Sequence, residues 1–253
     1  MLLVFRRQSD PNLLTRLDPA FWHPAYEVAL KRARLPLVEF GDFVQDIAYG
    51  PIVTGRHPQE EPGPLAIVSQ GQVTATGVDV RTAHRVARGG AWDSPRARVR
   101  VGDLLVPRSG DGAVARNRLT VVVEPCDGVV GSFVNRVAVR GIDPVYACLC
   151  LRTEVVWSQI HRLLNGVGTP NISFDEIRGL RVPWLPRAGI GSTQENLARR
   201  YLQEVHAEHQ KWLGGDEAAR ERARSALRRL LAELDALVWG GALPGTQEAA
   251  SEV

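Results

Sequence analysis

The sequence predicts a mixed α/β fold, with a twisted mixed β-sheet, flanking helices and a coiled-coil-like C-terminal helical arm. Short apolar runs separated by Gly, Pro and Asp fill residues 37–139 and indicate strands. Helical periodicity follows them, and residues 192–239 are almost entirely helix-forming. The 253 residues, 44% of them hydrophobic, suffice for one large domain with an appendage. We therefore divide the chain into a body (1–190), an arm (191–240) and a disordered tail (241–253).

In the first half of the body, one amphipathic helix is followed by strands. The helix is expected over residues 24–33, because Pro36 cannot continue it. Four apolar runs have the length and composition of strands. They are Pro64–Ser69, Arg98–Val106, Leu119–Glu124 and Phe133–Arg140.

In the second half of the body, capping residues mark helix starts. Asp143 can cap a helix whose first turn accepts Pro144. Its apolar stripe runs to Leu163, so one continuous helix is expected. Ser173 and Glu176 form a capping-box pattern for a shorter helix, and residues 179–185 return as a strand.

The arm consists of two helical stretches separated by a Gly-Gly pair. Ser192 and Glu195 match a capping box, and Asp216 can cap the second stretch after Gly214 and Gly215. Apolar residues line one face of each stretch. They are Leu197, Tyr201, Val205 and Trp212 in the first, and Ala223, Leu227, Leu230, Leu234 and Leu237 in the second. An arm of this kind packs against a partner or back on its own body.

Composition restricts the location and class of the protein. No apolar run approaches the ~18 residues of a membrane span, and MLLVFRR has the wrong order and length for a secretory signal. The three cysteines, Cys126, Cys148 and Cys150, are odd in number and lack a CxxC spacing. We expect them to be core residues of a reduced, cytoplasmic protein without a membrane partner.

Positive charge is concentrated in residues 81–118. This window holds nine arginines against three acidic residues, whereas the whole chain has a net charge of only +3. Such a concentration is typical of proteins that bind a polyanion, most often nucleic acid. A solvated arginine-rich surface is the alternative, because the chain has 29 arginines and two lysines.

Catalytic motifs are scarce. Gly110, Gly112 and Ala115 resemble a dinucleotide fingerprint, but a strand-like run follows them instead of a helix. The tetrapeptide at 143–146, DPVY, differs from that of amino-methyltransferases at its third position. His206 and His209 are spaced as metal ligands, yet no third ligand is evident, which favours a solvated face. The inventory favours a binding protein without metal or cofactor.

Four stretches, in order, resemble a target-recognition domain of the specificity (S) subunits of Type I restriction–modification systems. They are RLDPAFWHP (16–24), LVEFGDFVQDIAYG (37–50), VGDLLVPRSGDG (101–112) and GVGTPNISFDEIRGLRVPWLP (166–186), the last followed by Gln194. The resemblance implies a non-catalytic subunit that reads double-stranded DNA and directs a methyltransferase subunit, with a restriction subunit as a further partner. Typical S subunits carry two such domains, so one domain implies a half-subunit that dimerises or a single-domain relative.

Candidate DNA contacts combine arginines with short polar side chains. Arginine binds phosphates and guanine bidentately, and glutamine pairs with adenine. The residues expected to contact DNA are Arg56, His57, Gln70, Gln72, Arg98, Arg100, Arg108, Ser109, Arg116 and Arg118. Thr169 and Asn171 are added because they match the family's loop before its short closing helix. The alternative for residues 70–72 is a polar turn.

The arm is expected to form a homodimer through Leu227, Leu230, Leu234 and Leu237. Residues 216–239 span roughly 36 Å as a helix, close to the ~34–36 Å between half-sites one DNA turn apart. A bipartite, palindromic target is therefore predicted. Two alternatives stay open: a nuclease that uses Asp111 or Glu124, and a non-specific RNA- or single-strand-binding protein, which would need more aromatic stacking platforms.

Overall fold

The computed structural model describes residues 25–108, 117–164, 171–185 and 193–241. Its helices are α1 (Ala25–Arg32), α2 (Pro144–Cys150), α3 (Glu154–Leu164), α4 (Phe174–Arg178), α5 (Thr193–Arg200), a π-helical segment (Tyr201–His206), α6 (Ala207–Leu213) and α7 (Glu217–Val238). Its strands are β1 (Leu37–Glu39), β2 (Val44–Tyr49), β3 (Leu65–Val68), β4 (Arg85–Val86), β5 (Leu104–Pro107), β6 (Thr120–Val121), β7 (Gly128–Val130), β8 (Val134–Val139) and β9 (Arg181–Pro183). No helix in these ranges has the length and apolar character that a membrane crossing requires.

The mixed α/β class is confirmed, but the strands form separate sheets and not one twisted sheet. Strands β2, β8, β5 and β6 pair in that order, all antiparallel. Strand β3 pairs antiparallel with β4 and parallel with β7, and β1 pairs antiparallel with β9. The body therefore divides its strands among a four-stranded, a three-stranded and a two-stranded sheet.

Two predicted strands are shorter than expected. In the run from Arg98, only Leu104–Pro107 is strand, because a turn precedes it. Gly102 has a φ of +89°, and the carboxylate of Asp103 accepts the backbone N–H of Arg100 at 2.8 Å. This local turn is incompatible with extended backbone. The run from Leu119 is likewise reduced to Thr120–Val121.

The capping predictions at Asp143 and Ser173 are confirmed, and Ser192 lies outside the described residues, but the expected continuous helix is two helices. Asp143 caps α2 by accepting the backbone N–H groups of Val145 and Tyr146. The chain then breaks before α3, where the Thr153 hydroxyl donates to the Cys150 carbonyl at 2.7 Å. The carboxylate of Asp235, on α7, accepts the backbone N–H of Glu154 at 2.8 Å and so caps α3. Ser173 and Glu176 form the expected capping box on α4.

Two hydrophobic cores hold the fold together. The smaller core lies around β3 and β7 and includes Leu65, Val129 and Trp92. The larger core lies between the four-stranded sheet and the helices, and α5, the π-helical segment and α7 contribute to it. The arm residues predicted to share a face, among them Tyr201 and Val205, are buried there. The arm is therefore packed back on the body.

The predicted dimer face of α7 is not open. Gly214 and Gly215 end α6, and Asp216 caps α7, as expected. Leu227, Leu230 and Leu234, however, are buried in the larger core, and Leu237 packs against it. Because these side chains already fill the chain's own interior, the expectation that they bind a second copy is wrong.

The first and last helices of the described fold meet. The backbone N–H of Arg34, just after α1, donates to the carbonyl of Val238 at the end of α7, at 2.7 Å. Gly240 then approaches the Arg34 side chain so closely that a Cβ there would lie 2.9 Å from Cγ. Residues 34 and 238–240 form a fixed junction.

Candidate nucleic-acid interface

An open groove of about 770 Å³ lies where β3, β5, β7 and β8 bring their connecting turns together. Its residues come from the turns and strand ends that follow β2, β3, β5 and β7, from the separate positions Pro58, His84 and Trp92, and from the segment before α4. They are Pro51, Ile52, Val53, Pro58, Ile67, Ser69, Gln70, Gly71, His84, Trp92, Arg108, Val129, Val130, Gly131, Ser132, Phe133 and Asn171. We call this the Phe133 groove. Among the described residues that line it, none is acidic.

Main-chain hydrogen bonds fix the groove's walls. Arg108, directly after β5, donates its N–H to the carbonyl of Phe133 at 2.9 Å. The carbonyl of Arg108 accepts the N–H of Ile172 at 3.0 Å, which places the preceding Asn171 beside it. Gly50 lies so near the turn after β7 that a Cβ there would be 1.9 Å from the Val130 carbonyl oxygen. Only glycine permits this close approach.

Arg108 is the cationic residue of the groove. Its guanidinium carbon lies 4.3 Å from the centroid of the Tyr49 ring, a cation–π distance. Its Nε donates to the Asn171 side-chain oxygen at 3.3 Å. No carboxylate of the described residues forms an ion pair with it. An aromatic face and an amide oxygen orient this guanidinium without neutralising its charge.

The two glutamines at 70 and 72 have different roles. Gln70 lines the groove, and its Nε2 donates to the Phe133 carbonyl at 3.3 Å. Gln72 turns back on its own loop: its Oε1 accepts the N–H of Ser69 at 3.2 Å, and its Nε2 faces the Thr82 hydroxyl at 3.4 Å. The structure therefore places Gln70, and not Gln72, in the groove.

Arg56 and His57 do not themselves line the groove. His57 directly precedes Pro58, which lines the wall. Arg56 and His57 are both exposed, and the Arg56 guanidinium forms an ion pair with Glu61 at 3.0 Å. An exposed ion pair of this kind is worth little, about 0–1 kcal/mol, so an anionic ligand can compete for the arginine.

Arg98 and Arg100 do not line the groove. Arg98 holds Asp93 through two bonds, Nε to Oδ1 at 2.8 Å and Nη2 to Oδ2 at 2.5 Å. Arg100 lies at the opposite end of β5 from Arg108, beside Asp103. The hydrogen bonds from Arg98 lower the pKa of Asp93 below its ordinary value. This pair stabilises the loop before β5.

Much of the positive charge of residues 81–118 is neutralised. Four of its arginines form ion pairs with carboxylates. The pairs are Arg81–Asp79, Arg88–Asp127, Arg96–Asp46 and Arg98–Asp93. Three of these carboxylates lie outside residues 81–118. Counting the charge within that window alone therefore overstates the positive potential that it produces. The window is not one basic surface.

An ionic cluster of Asp46, Arg96, Asp103 and Arg136, in which only Asp103 and Arg136 are buried, lies near the start of β5. Arg136 on β8 donates to Asp103 at 2.9 Å and to Asp46 at 2.5 Å. Burial raises the pKa of Asp103 above its ordinary value, against the opposing charge of Arg136. Burial alone would raise the pKa of Asp46 as well. The hydrogen bond from Arg96 and the charge of Arg136 outweigh this effect, so the pKa of Asp46 is lowered. Sequence analysis did not identify this cluster.

Several predicted residues are outside the groove or outside the described ranges. Arg118 lines a small apolar cavity with Pro107, at the Arg108 end of β5. Ser109, Arg116 and Thr169 lie outside the described residues, as do Asp111 and the glycines at 110 and 112.

The two histidines do not lie on a solvated face. His209 is buried, with Nδ1 2.9 Å from the Thr76 hydroxyl and Nε2 3.3 Å from the Val78 carbonyl. His206 faces Glu124 at 3.0 Å, so the glutamate proposed for a nuclease site has a partner on the helical arm. In the described part of the chain, no three potential ligands are grouped to hold a metal ion.

Sequence reasoning missed the exposed apolar residues of the groove. Phe133 is 61% exposed and Ile52 is 71% exposed, while Tyr49 contacts Arg108. In sequence, Phe133 stands at the start of an apolar run and resembles a core residue. The flanking Gly131 and Ser132, which predict a turn, were the available signal.

No protein-family model matches the chain, and neither does any curated protein sequence. Solved structures do match. Over 82% of this chain and 32% of the other, the chain is similar to the type IIG restriction endonuclease BpuSI, with a TM-score of 0.50 and 8% identity. It is also similar to the S subunit of a type I restriction–modification system from M. genitalium (TM-score 0.44, 11% identity, 70% of this chain, 40% of that one). The HsdS subunit from Thermoanaerobacter tengcongensis gives a TM-score of 0.40 at 15% identity, over 86% and 50%. The chain thus spans about half or less of each of these proteins.

Proposed function

We propose that the chain reads a sequence in double-stranded DNA and directs a partner methyltransferase of a Type I-like restriction–modification, or related DNA-methylation, system to it. The observation that carries this proposal is the Phe133 groove. It presents a guanidinium and two amide side chains, and none of its described lining residues is acidic. Its shape and charge suit a polyanion.

The side-chain chemistry of the groove suits base reading. A guanidinium matches guanine O6 and N7, and the amides of Gln70 and Asn171 match adenine N6 and N7. The exposed Arg56, two residues before the lining residue Pro58, would contact a phosphate and so fix the register of the duplex. Positioning contacts and reading contacts are thus supplied by different residues.

The similarity in fold to a type IIG restriction endonuclease agrees with this proposal, because that protein acts on DNA. The ordered sequence motifs that resemble S subunits point the same way. In this interpretation, the chain itself is non-catalytic. Methyl transfer, and cleavage where a restriction subunit is present, belong to the partners.

Selection from a random duplex pool at two salt concentrations tests the proposal. A motif that survives the higher salt is expected, since base contacts depend less on salt than phosphate contacts do. A bipartite palindrome would indicate a dimer, which would have to pair through a surface other than the buried leucines of α7. Uniform retention that collapses with salt, or metal-dependent cleavage by the chain alone, would overturn the proposal.

A further inference from the structure

Phe133 is a large apolar side chain that folding leaves in water. Only six large hydrophobic residues of the described ranges are exposed, and Tyr49, Ile52 and Phe133 among them lie in or beside the Phe133 groove. Single exposed apolar residues need no explanation, whereas a group of them in one concave site marks a contact surface.

Four hydrogen bonds fix the backbone around Phe133. Its carbonyl accepts both the Arg108 N–H at 2.9 Å and the Gln70 Nε2 at 3.3 Å. The N–H of Val134 donates to the Gly131 carbonyl at 3.1 Å and closes the turn. Gly131 in turn donates to Val68 at 2.9 Å. The ring is therefore presented from a fixed turn, which reduces the entropy lost when it enters a partner.

The residues around the Phe133 ring indicate which class of partner the groove binds. Of the two residues that donate to the Phe133 carbonyl, Arg108 does so through its main-chain N–H and carries a cationic side chain, and Gln70 does so through its side-chain amide; both residues line the groove. No acidic residue is found among the described lining residues. A purely apolar protein partner would leave this cation desolvated and unpaired, whereas a DNA duplex supplies guanine O6 and N7 for Arg108 and base-pair faces for the ring.

We propose that Phe133 acts as a wedge that enters between adjacent base pairs of the bound duplex and unstacks one step. Apolar side chains that enter a base step kink the duplex and let it contact more protein surface. Flexible pyrimidine–purine steps deform most easily, so the wedge would favour one of these in the target. The wedge rests on the proposed DNA binding and adds a specificity residue that makes no hydrogen bond to a base.

The experiment uses 2-aminopurine, whose fluorescence rises when it is unstacked, placed in turn at each step of a duplex selected by the full chain. The wild type should raise the fluorescence at one step. Phe133→Ala should abolish that rise and weaken binding about tenfold, toward the lower end of what stacking on a base is worth. Phe133→Leu, which keeps an apolar wedge, should retain most of the rise.

Val101→Ala is the matched control, because Val101 is an exposed apolar residue at the other end of β5. It should behave as the wild type. Circular dichroism of each variant establishes that it is folded. A duplex that binds with no responsive step, or a rise that persists in Phe133→Ala, overturns the wedge and leaves DNA binding standing. Failure of the wild type to bind any duplex overturns the proposed function itself.

Discussion

At the start of β5, arginine side chains face carboxylates, whereas at its end Arg108 faces an aromatic ring and an amide. Arg136 is enclosed between Asp46 and Asp103, with only 4% of its side chain exposed. Arg108 lines an open groove where no described carboxylate pairs with it. Arg136 lies on β8, and Arg108 directly follows β5, the strand that pairs with β8. Their difference shows that arginine density does not by itself give positive potential; the position of the carboxylates decides it.

The two ends should respond oppositely to substitution. Removing an enclosed charge leaves its partner buried and unpaired, which affects the free energy of unfolding. Removing a charge from an open groove affects what binds there.

The largest effect is expected from Arg136→Met. It should lower the free energy of unfolding by about 3–5 kcal/mol, because Asp103 would remain buried without its partner. Urea denaturation measures this loss. The double variant Arg136→Met with Asp103→Leu should recover much of it, since it removes both charges. A single-variant loss below about 1 kcal/mol would contradict the assignment of Arg136 to structure.

Arg108→Ala should reduce affinity for the selected duplex about 10- to 100-fold, as expected for a bidentate base contact worth about 1–3 kcal/mol. Its free energy of unfolding should change by no more than about 0.5 kcal/mol. Arg100→Ala, at the other end of β5, should bind within about twofold of wild type. Fluorescence anisotropy at fixed salt compares the two. Equal losses in both variants would favour a diffuse basic surface.

The Arg98–Asp93 pair makes stability depend on pH. The pKa of Asp93 is lowered by Arg98, so the pair's contribution is complete above the ordinary value of 3.8 and is lost as pH falls through the lower folded value. Asp93→Asn should therefore flatten the fall of stability with acidification. Thermal melts between about pH 2 and pH 6 would show it. If the stability of Asp93→Asn falls with acidification as steeply as that of the wild type, Asp93 is not the group that causes the fall.

The smallest effect is expected from Arg96→Ala. Its partner Asp46 also accepts from Arg136, and Arg96 itself is largely exposed. Exposed ion pairs contribute about 0–1 kcal/mol, so this variant should unfold within that range of wild type. Urea denaturation at low and high salt would measure the change. A loss comparable to that of Arg136→Met would make the two arginines equal members of the cluster.

Local chemistry was predictable from the sequence, because its partners lie within a few residues. Asp143, Ser173 and Asp216 cap helices as expected, since each bonds backbone N–H groups two or three residues further on. The end of α6 at Gly214 and Gly215 was predictable for the same reason, because it also depends on neighbouring residues. The groove residues Gln70, Arg108 and Asn171 were also identified, from side-chain type and from family resemblance.

Partners distant in sequence were not predictable. Asp46 lies 90 residues from Arg136, and Asp127 lies 39 residues from Arg88, so a local count of charge cannot include them. The leucine stripe of α7 failed similarly: an apolar stripe shows that a face is covered, and the body of the same chain covers it. Phe133 was not identified as a groove residue, because apolar character alone does not distinguish an exposed side chain from a core side chain.

Because Arg34 lies next to Val238, the described fold has the geometry of a unit that can be inserted into another chain. Arg34, just after the first helix, and Val238, the last residue of α7, are joined by one hydrogen bond, at 2.7 Å. A unit of this form can be joined to another copy, or placed in a loop of a host protein, through linkers of a few residues and with little strain. Two units joined in this way would hold two reading surfaces at millimolar effective concentration, so a two-part target could be met without a strong interface between them.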